Sequence, residues 1–188
     1  MPSQLPSAPA RSRAAALIRT SHPGPTVAVT VLTALLAAAV GHAVGTGLVV
    51  TAAVFTGQLT IGWSNDLVDA ARDRAVARDD KPLARGDLSE ALVRTGIGVA
   101  GVACVLLSLA CGWRSGATHL FLGVAAGWAY NLGFKRTPWS ALPYAVAFGS
   151  LPAVVSLALP ARSLPPAWMV ATGALLGVGA HLLNALPD

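Results

Sequence analysis

Charge is what this sequence has least of. Asp, Glu, Lys and Arg make up 11% of its 188 residues, where a soluble globular domain carries about 25%, and that shortage excludes an ordinary water-soluble fold. Acid is scarcer than base, with eight Asp and Glu against thirteen Lys and Arg and a formal net charge of +5. The basic excess does not point to nucleic acid. Its members sit at the ends of apolar segments, and aromatics, at 6%, form no stripe with them. Cysteine is nearly absent. Cys104 and Cys111 lie seven apart on one helical face, without a CxxC spacing or nearby histidines, which argues against a metal site and a disulfide. His22, His42, His119 and His181 are scattered near segment ends and read as interfacial or hydrogen-bonded, with no chemistry assigned to them.

What is abundant is apolar. The sequence is 54% hydrophobic with 19 Gly and a mean hydropathy of +0.63, the composition of an all-α, polytopic transmembrane helix bundle. Six segments are predicted to span about 30 Å of hydrocarbon: residues 25–42, 45–64, 91–112, 118–134, 141–159 and 166–186. Residues 1–21, rich in Pro, Ser and Ala, read as a disordered tail, and residues 22–188 as one membrane domain. Threading six antiparallel spans puts eleven basic residues on one side and only Arg114 and Arg162 on the other. By the positive-inside tendency both termini are then cytoplasmic in a multi-pass cell-membrane protein. Gly123/Gly127 and Gly173/Gly177 are small-xxx-small pairs that predict close helix approach. Pro143 is expected at a helix start and Pro152 at a packing kink. The five tryptophans lie mainly at segment edges; Trp63, just before the charged block, is a candidate cavity wall.

Seven of the eight acidic residues fall between Asp66 and Glu90, together with five basic ones. Asp66, Asp69 and Asp73, at i, i+3 and i+7, share one helical face with Asn65 beside it. Three stacked carboxylates repel. The arrangement is tolerable if the helix end is fully wet and laced by Arg72, Arg74 and Arg78, or if a hard divalent cation such as Mg2+ takes the oxygens. The helix arises from the apolar run ending IGWS, so the first carboxylate stands near membrane depth, where an ionised group costs roughly 2.5 to 3.5 kcal/mol or more. That cost calls for a partner.

The stretch NDLVDAARD resembles the first aspartate-rich motif, NDxxDxxxD, of the UbiA superfamily of intramembrane prenyltransferases. DDKPLARG resembles the Lys-Pro-x-x-Arg-Pro element that follows it there, with Gly86 in place of the proline. YNLGFKRTP resembles the family's Tyr-x-x-x-x-Lys-Arg element, and HLLNALPD leads into what resembles the first aspartate, Asp188, of a second motif. The likeness implies Asn65, Asp66, Asp69 and Asp73 as catalytic residues, with Asp66, Asp69, Asp73 and Asp188 holding Mg2+ and Lys81, Arg85, Lys135 and Arg136 binding diphosphate.

The implied activity, of the 4-hydroxybenzoate polyprenyltransferase type in quinone biosynthesis, ionises an allylic prenyl diphosphate and attaches the carbocation to an aromatic acceptor. A water-poor cavity among the helices protects the cation, and membrane lipid delivers the prenyl tail. No nucleic acid and no obligate protein partner is implied. The family bundle has nine helices, of which this sequence would supply six, which implies truncation after the sixth. Two alternatives stand beside this reading: a small polytopic transporter or membrane assembly protein, which would place polar groups near mid-membrane, and an inactive truncated prenyltransferase.

Overall fold

The computed structural model describes residues 10–185, and among them every regular element is a helix. Helix α1 (Ala10–Thr20) is followed by α2 (Pro23–Ala39), α3 (Val44–Ala75), a single turn α4 (Pro82–Arg85) and α5 (Glu90–Ala110). Then come α6 (Trp113–Thr118), a π-helical stretch (His119–Val124), α7 (Ala125–Leu132), a 3-10 turn (Phe134–Arg136), α8 (Ala141–Leu157) and α9 (Ala167–Ala185). Of the tail expected to be disordered, the described part from Ala10 onward is helical.

The all-α bundle is as expected, but the count of six spans is corrected. Among the described residues three helices are long and apolar enough to cross a membrane, namely α3, α5 and α9, and four if the bent pair α1 and α2 is taken as one. Hydropathy windows register apolar composition but not helix continuity, and the remaining segments fail on continuity or length. The first segment yields a 17-residue α2, which meets α1 at a 66° bend where His22 takes left-handed backbone angles. The fourth holds the six-residue π-helical stretch followed by the eight-residue α7. The fifth, α8, stops at 17 residues. Three or more apolar spans still make this a multi-pass membrane protein.

Helix α3 carries the architecture. At about 1.5 Å per residue its 32 residues run to about 48 Å, well beyond the roughly 30 Å of hydrocarbon. About twenty residues from Val44 the count reaches Ser64, so the polar block begins where an apolar solvent would end. The helix stops at Val76, with Ala77 left-handed at φ 51°. Two cores flank it. Near the charged end Trp63 and Ala70 pack with Ala16 of α1, Leu83 of α4 and Val93 of α5; towards the other end Val50 and Val54 pack with Val29 of α2 and Val154 of α8. Ser89 starts α5 by accepting the Leu92 N–H at 3.2 Å.

The small residues act in two ways. A Cβ on Gly173 or Gly177 of α9 would lie 2.5 Å from the Phe148 carbonyl oxygen or 2.3 Å from that of Tyr144 in α8, so α8 and α9 meet backbone to backbone. Gly127 likewise admits Ile61 of α3, whereas Gly123 faces the imidazole of His119 one turn earlier in its own stretch. Pro143 lies in the first turn of α8, and the helix continues through Pro152.

Candidate functional site

Asn65, Asp66, Asp69 and Asp73 form a stripe on the last three turns of α3. Asp66 is 2% exposed and Asp73 8%, so the stripe faces protein rather than solvent. Two donors converge on one oxygen of Asp66: Lys81 Nζ donates to Oδ1 at 2.5 Å and His22 Nε2 to the same atom at 2.9 Å. Lys81 reaches it because it is the residue before α4, whose Pro82 sits at the first helical position. His22 reaches it because its left-handed backbone turns the chain between α1 and α2.

Asp69, one turn further on, takes a second ammonium. Lys135 Nζ donates to Asp69 Oδ2 at 2.5 Å and to Asn65 Oδ1 at 3.0 Å, and the Arg136 guanidinium stands 3.9 Å from Asp69 Oδ1. The 3-10 turn that presents them is held by Asn131 of α7, whose amide donates to the Ile61 carbonyl and the Ser64 hydroxyl of α3, each at 2.8 Å. Asp73 makes no side-chain hydrogen bond among the described residues.

The expected residues therefore separate. Asn65, Asp66, Asp69, Lys81 and Lys135 come together, with Arg136 at the edge. Arg85 turns away to Asp87 and to the Asp79 carbonyl, while Asp188 lies outside the described residues. Gly86, which departs from the family pattern, closes α4 at φ +82°, a conformation that proline, with φ near −65°, does not adopt. The loop is further tied by Arg78 to Asp80 and by Arg74 and Arg94 to Glu90. The Arg78 guanidinium bonds to both carboxylate oxygens of Asp80 and draws its pKa from 3.8 down to about 2. These exposed pairs contribute little to stability.

His22 is the residue that sequence reasoning missed. It lies 44 positions from Asp66, and nothing in its local pattern separates it from an interfacial histidine. The other histidines are hydrogen-bonded: His42 to the Val155 carbonyl, His119 to Ser108 and His181 to Ser140. Trp63 does not line the cavity; it belongs to the core beneath α1, donating to the Leu17 carbonyl at 3.0 Å.

Beside the charged cluster opens a cavity of about 1240 Å³. Its walls come from α2, α3, α7, α8 and α9, and they are apolar for the most part, with Val29, Leu32, Ile61, Phe148 and Leu176 among them. Asn65 and His22 also line it, which places the polar cluster at one end of an apolar space. Polar groups occur deeper as well, where the transporter reading looked for them: Gln58 on the wall and the buried pair Ser108 and His119 behind it.

A resident Mg2+ requires several converging oxygen ligands. Among the described residues no group of three or more His, Cys, Asp or Glu is placed to hold a metal ion, and Asp66 and Asp69 each already have an ammonium partner. These side chains do not make a closed metal centre. One feature leaves room for a cation: Asp69 Oδ1 is buried without a hydrogen-bond partner.

The family model that matches this chain is that of the UbiA prenyltransferase family, over residues 26–188. No curated protein and no solved structure matches it.

Proposed function

This chain therefore belongs to the UbiA prenyltransferase family, and on that premise we propose that it binds a prenyl diphosphate in the membrane. The diphosphate lies at Asn65, Asp66, Asp69, Lys81 and Lys135, and the prenyl chain lies in the adjoining cavity. The observation that carries this reading is the continuity of the two spaces: Asn65, which accepts from Lys135, is also a wall of the 1240 Å³ apolar cavity. An amphipathic ligand with a highly charged head and a hydrocarbon tail matches that division.

The charge balance limits how the head binds. Asp66, Asp69 and Asp73 against Lys81, Lys135 and Arg136 leave the cluster near neutral, so a bare diphosphate meets as much repulsion as attraction. Mg2+ typically uses one or two carboxylates together with substrate phosphates, without a dedicated protein cage. The residues would therefore suit a cation that arrives with the diphosphate: the Asp66 and Asp69 carboxylates would hold it, and Lys81 and Lys135 would bind phosphate oxygens. Binding is what this arrangement supports, and it favours a family member that holds prenyl diphosphate without turnover. Transfer to an aromatic acceptor is the second reading, favoured by Asp69 Oδ1, which accepts no hydrogen bond.

Calorimetry with geranyl diphosphate and the purified chain in nanodiscs tests this. Binding is expected to require Mg2+ and to weaken at least about tenfold in D69N and K135A, the effect of losing one charge-assisted contact. Binding that ignores Mg2+ and both substitutions would refute the head-group assignment. Radiolabelled geranyl transfer to 4-hydroxybenzoate, assayed in the same preparation, decides between the two readings.

A further inference from the structure

A second polar place lies deeper in the bundle. His119 opens the π-helical stretch and is 4% exposed. Its Nδ1 shares a 2.7 Å hydrogen bond with Ser108 Oγ of α5, and its Nε2 has no hydrogen-bond partner among the described residues. The fold makes room for this ring on two sides. A Cβ on Gly57 of α3 would stand 3.1 Å from Nε2, and one on Gly123 would stand 3.3 Å from Cδ2. An ionisable ring inside a membrane bundle is costly and is characteristically paired with function, and π-helical turns are frequent at functional sites.

The ring borders a chamber of about 40 Å³ that Ser150 of α8 also lines. Ser150 donates its own proton to the Ala147 carbonyl at 2.9 Å, which leaves its oxygen free to accept. Val29, Gln58, Ile61, Ala147 and Phe148 wall both this chamber and the large cavity, so the two adjoin. The chamber has room for one oxygen atom with its hydrogen and not for a ring. Gly57, which lies against the imidazole, is eight residues before Asn65 on α3, a rise of about 12 Å along the helix.

We propose that this chamber is a subsite for a single oxygen, hydroxyl or carbonyl, carried by an aromatic ring seated in the large cavity against Phe148, with His119 Nε2 as its hydrogen-bond partner. Ser108 holds the imidazole through Nδ1, so the ring does not turn away from the ligand. The proposal rests on the reading that the large cavity holds a ligand, but not on the diphosphate assignment. Because the same space also suits a water molecule, the test separates the two occupants.

The probes are 1-naphthol and naphthalene, which share a ring system and differ by one hydroxyl, titrated into the full chain in nanodiscs. The readout is calorimetry, corrected for the partition of each probe into empty nanodiscs. The intact chain is expected to bind naphthol about tenfold more tightly than naphthalene, the scale of one buried hydrogen bond. In H119L the preference disappears while naphthalene binds as before, and in H119Q, which keeps a donor and an acceptor, part of it returns. A naphthol preference unchanged in H119L, or equal binding of both probes by the intact chain, means that the chamber holds only water and overturns the proposal. Should H119L fail to fold, the imidazole ¹⁵N resonances of the unmodified chain decide: a naphthol-specific shift of the His119 Nε2 signal supports the subsite, and no shift rejects it. Geranyl diphosphate titrated in parallel reads the head-group cluster separately, so its failure to bind would leave the naphthol result standing.

Discussion

Truncating Lys81 to alanine would leave the Asp66 carboxylate, 2% exposed, with the His22 hydrogen bond as its remaining side-chain contact. Breaking a buried pair from one side costs about 3 kcal/mol, so K81A is expected to lower the thermal midpoint of the purified chain by several degrees. D66N in the same background should restore much of it, since the uncompensated charge is then gone. A K81A protein as stable as the parent would show that the pair is solvated and that Asp66 is not held as described. Conversely, K135A should cost less, because Asp69 is more open and keeps Arg136 at 3.9 Å. At this scale the acidic stripe was legible in the sequence, since i, i+3, i+7 spacing puts carboxylates on one face whatever the fold, and both lysines were named through the resemblance carried by DDKPLARG and YNLGFKRTP. Arg85 was expected to join them and does not, because a two-residue separation lets it reach Asp87 instead. His22 was not legible, since only the bend after α1 carries it to Asp66.

Two helix junctions depend on glycine. A Cβ on Gly177 would meet the Tyr144 carbonyl oxygen at 2.3 Å and one on Gly62 the Ser21 carbonyl oxygen at 2.2 Å, both backbone atoms that cannot swing aside. G177A is expected to push α9 off α8 at a cost of about 1 to 3 kcal/mol. It should also widen the cavity, because Tyr144, Leu176 and Gly179 all line it. G62A is expected to displace the turn between α1 and α2 and loosen the His22–Asp66 contact, so geranyl diphosphate affinity should change in G62A more than in G177A. Calorimetry on both variants checks the order; the reverse order would separate the α1–α2 turn from the site. The small-xxx-small spacing of Gly173 and Gly177 foretold a close approach. The role of Gly123 was not foretold, because the same spacing serves a helix neighbour at Gly127 and an imidazole at Gly123.

For the whole molecule, Lys135 bonded to Asp69 brings the Phe134–Arg136 turn and the charged end of α3 to one side of the bundle. Cysteines placed at Asp79 and Arg136 are accordingly expected to react with an impermeant maleimide from the same side of the membrane. The basic residues gathered at this end, Arg72, Arg74, Arg78, Lys81, Arg85, Lys135 and Arg136, predict that side to be cytoplasmic, with cysteines at Arg114 and Arg162, beyond the far ends of α5 and α8, labelled from the opposite face. Labelling of Asp79 and Arg136 from different faces would contradict the structure, whereas labelling of both from outside would overturn only the charge argument. By itself the sequence determined the solvent, the helical class and the acidic stripe, because apolar composition and periodicity act locally and survive any arrangement of the helices. The tertiary structure decided how many helices are continuous enough to span, since a π-helical stretch and a left-handed His22 leave no mark in hydropathy. It also decided which cations meet which carboxylates, and that an apolar cavity opens beside Asn65, because both depend on distances between residues far apart along the chain.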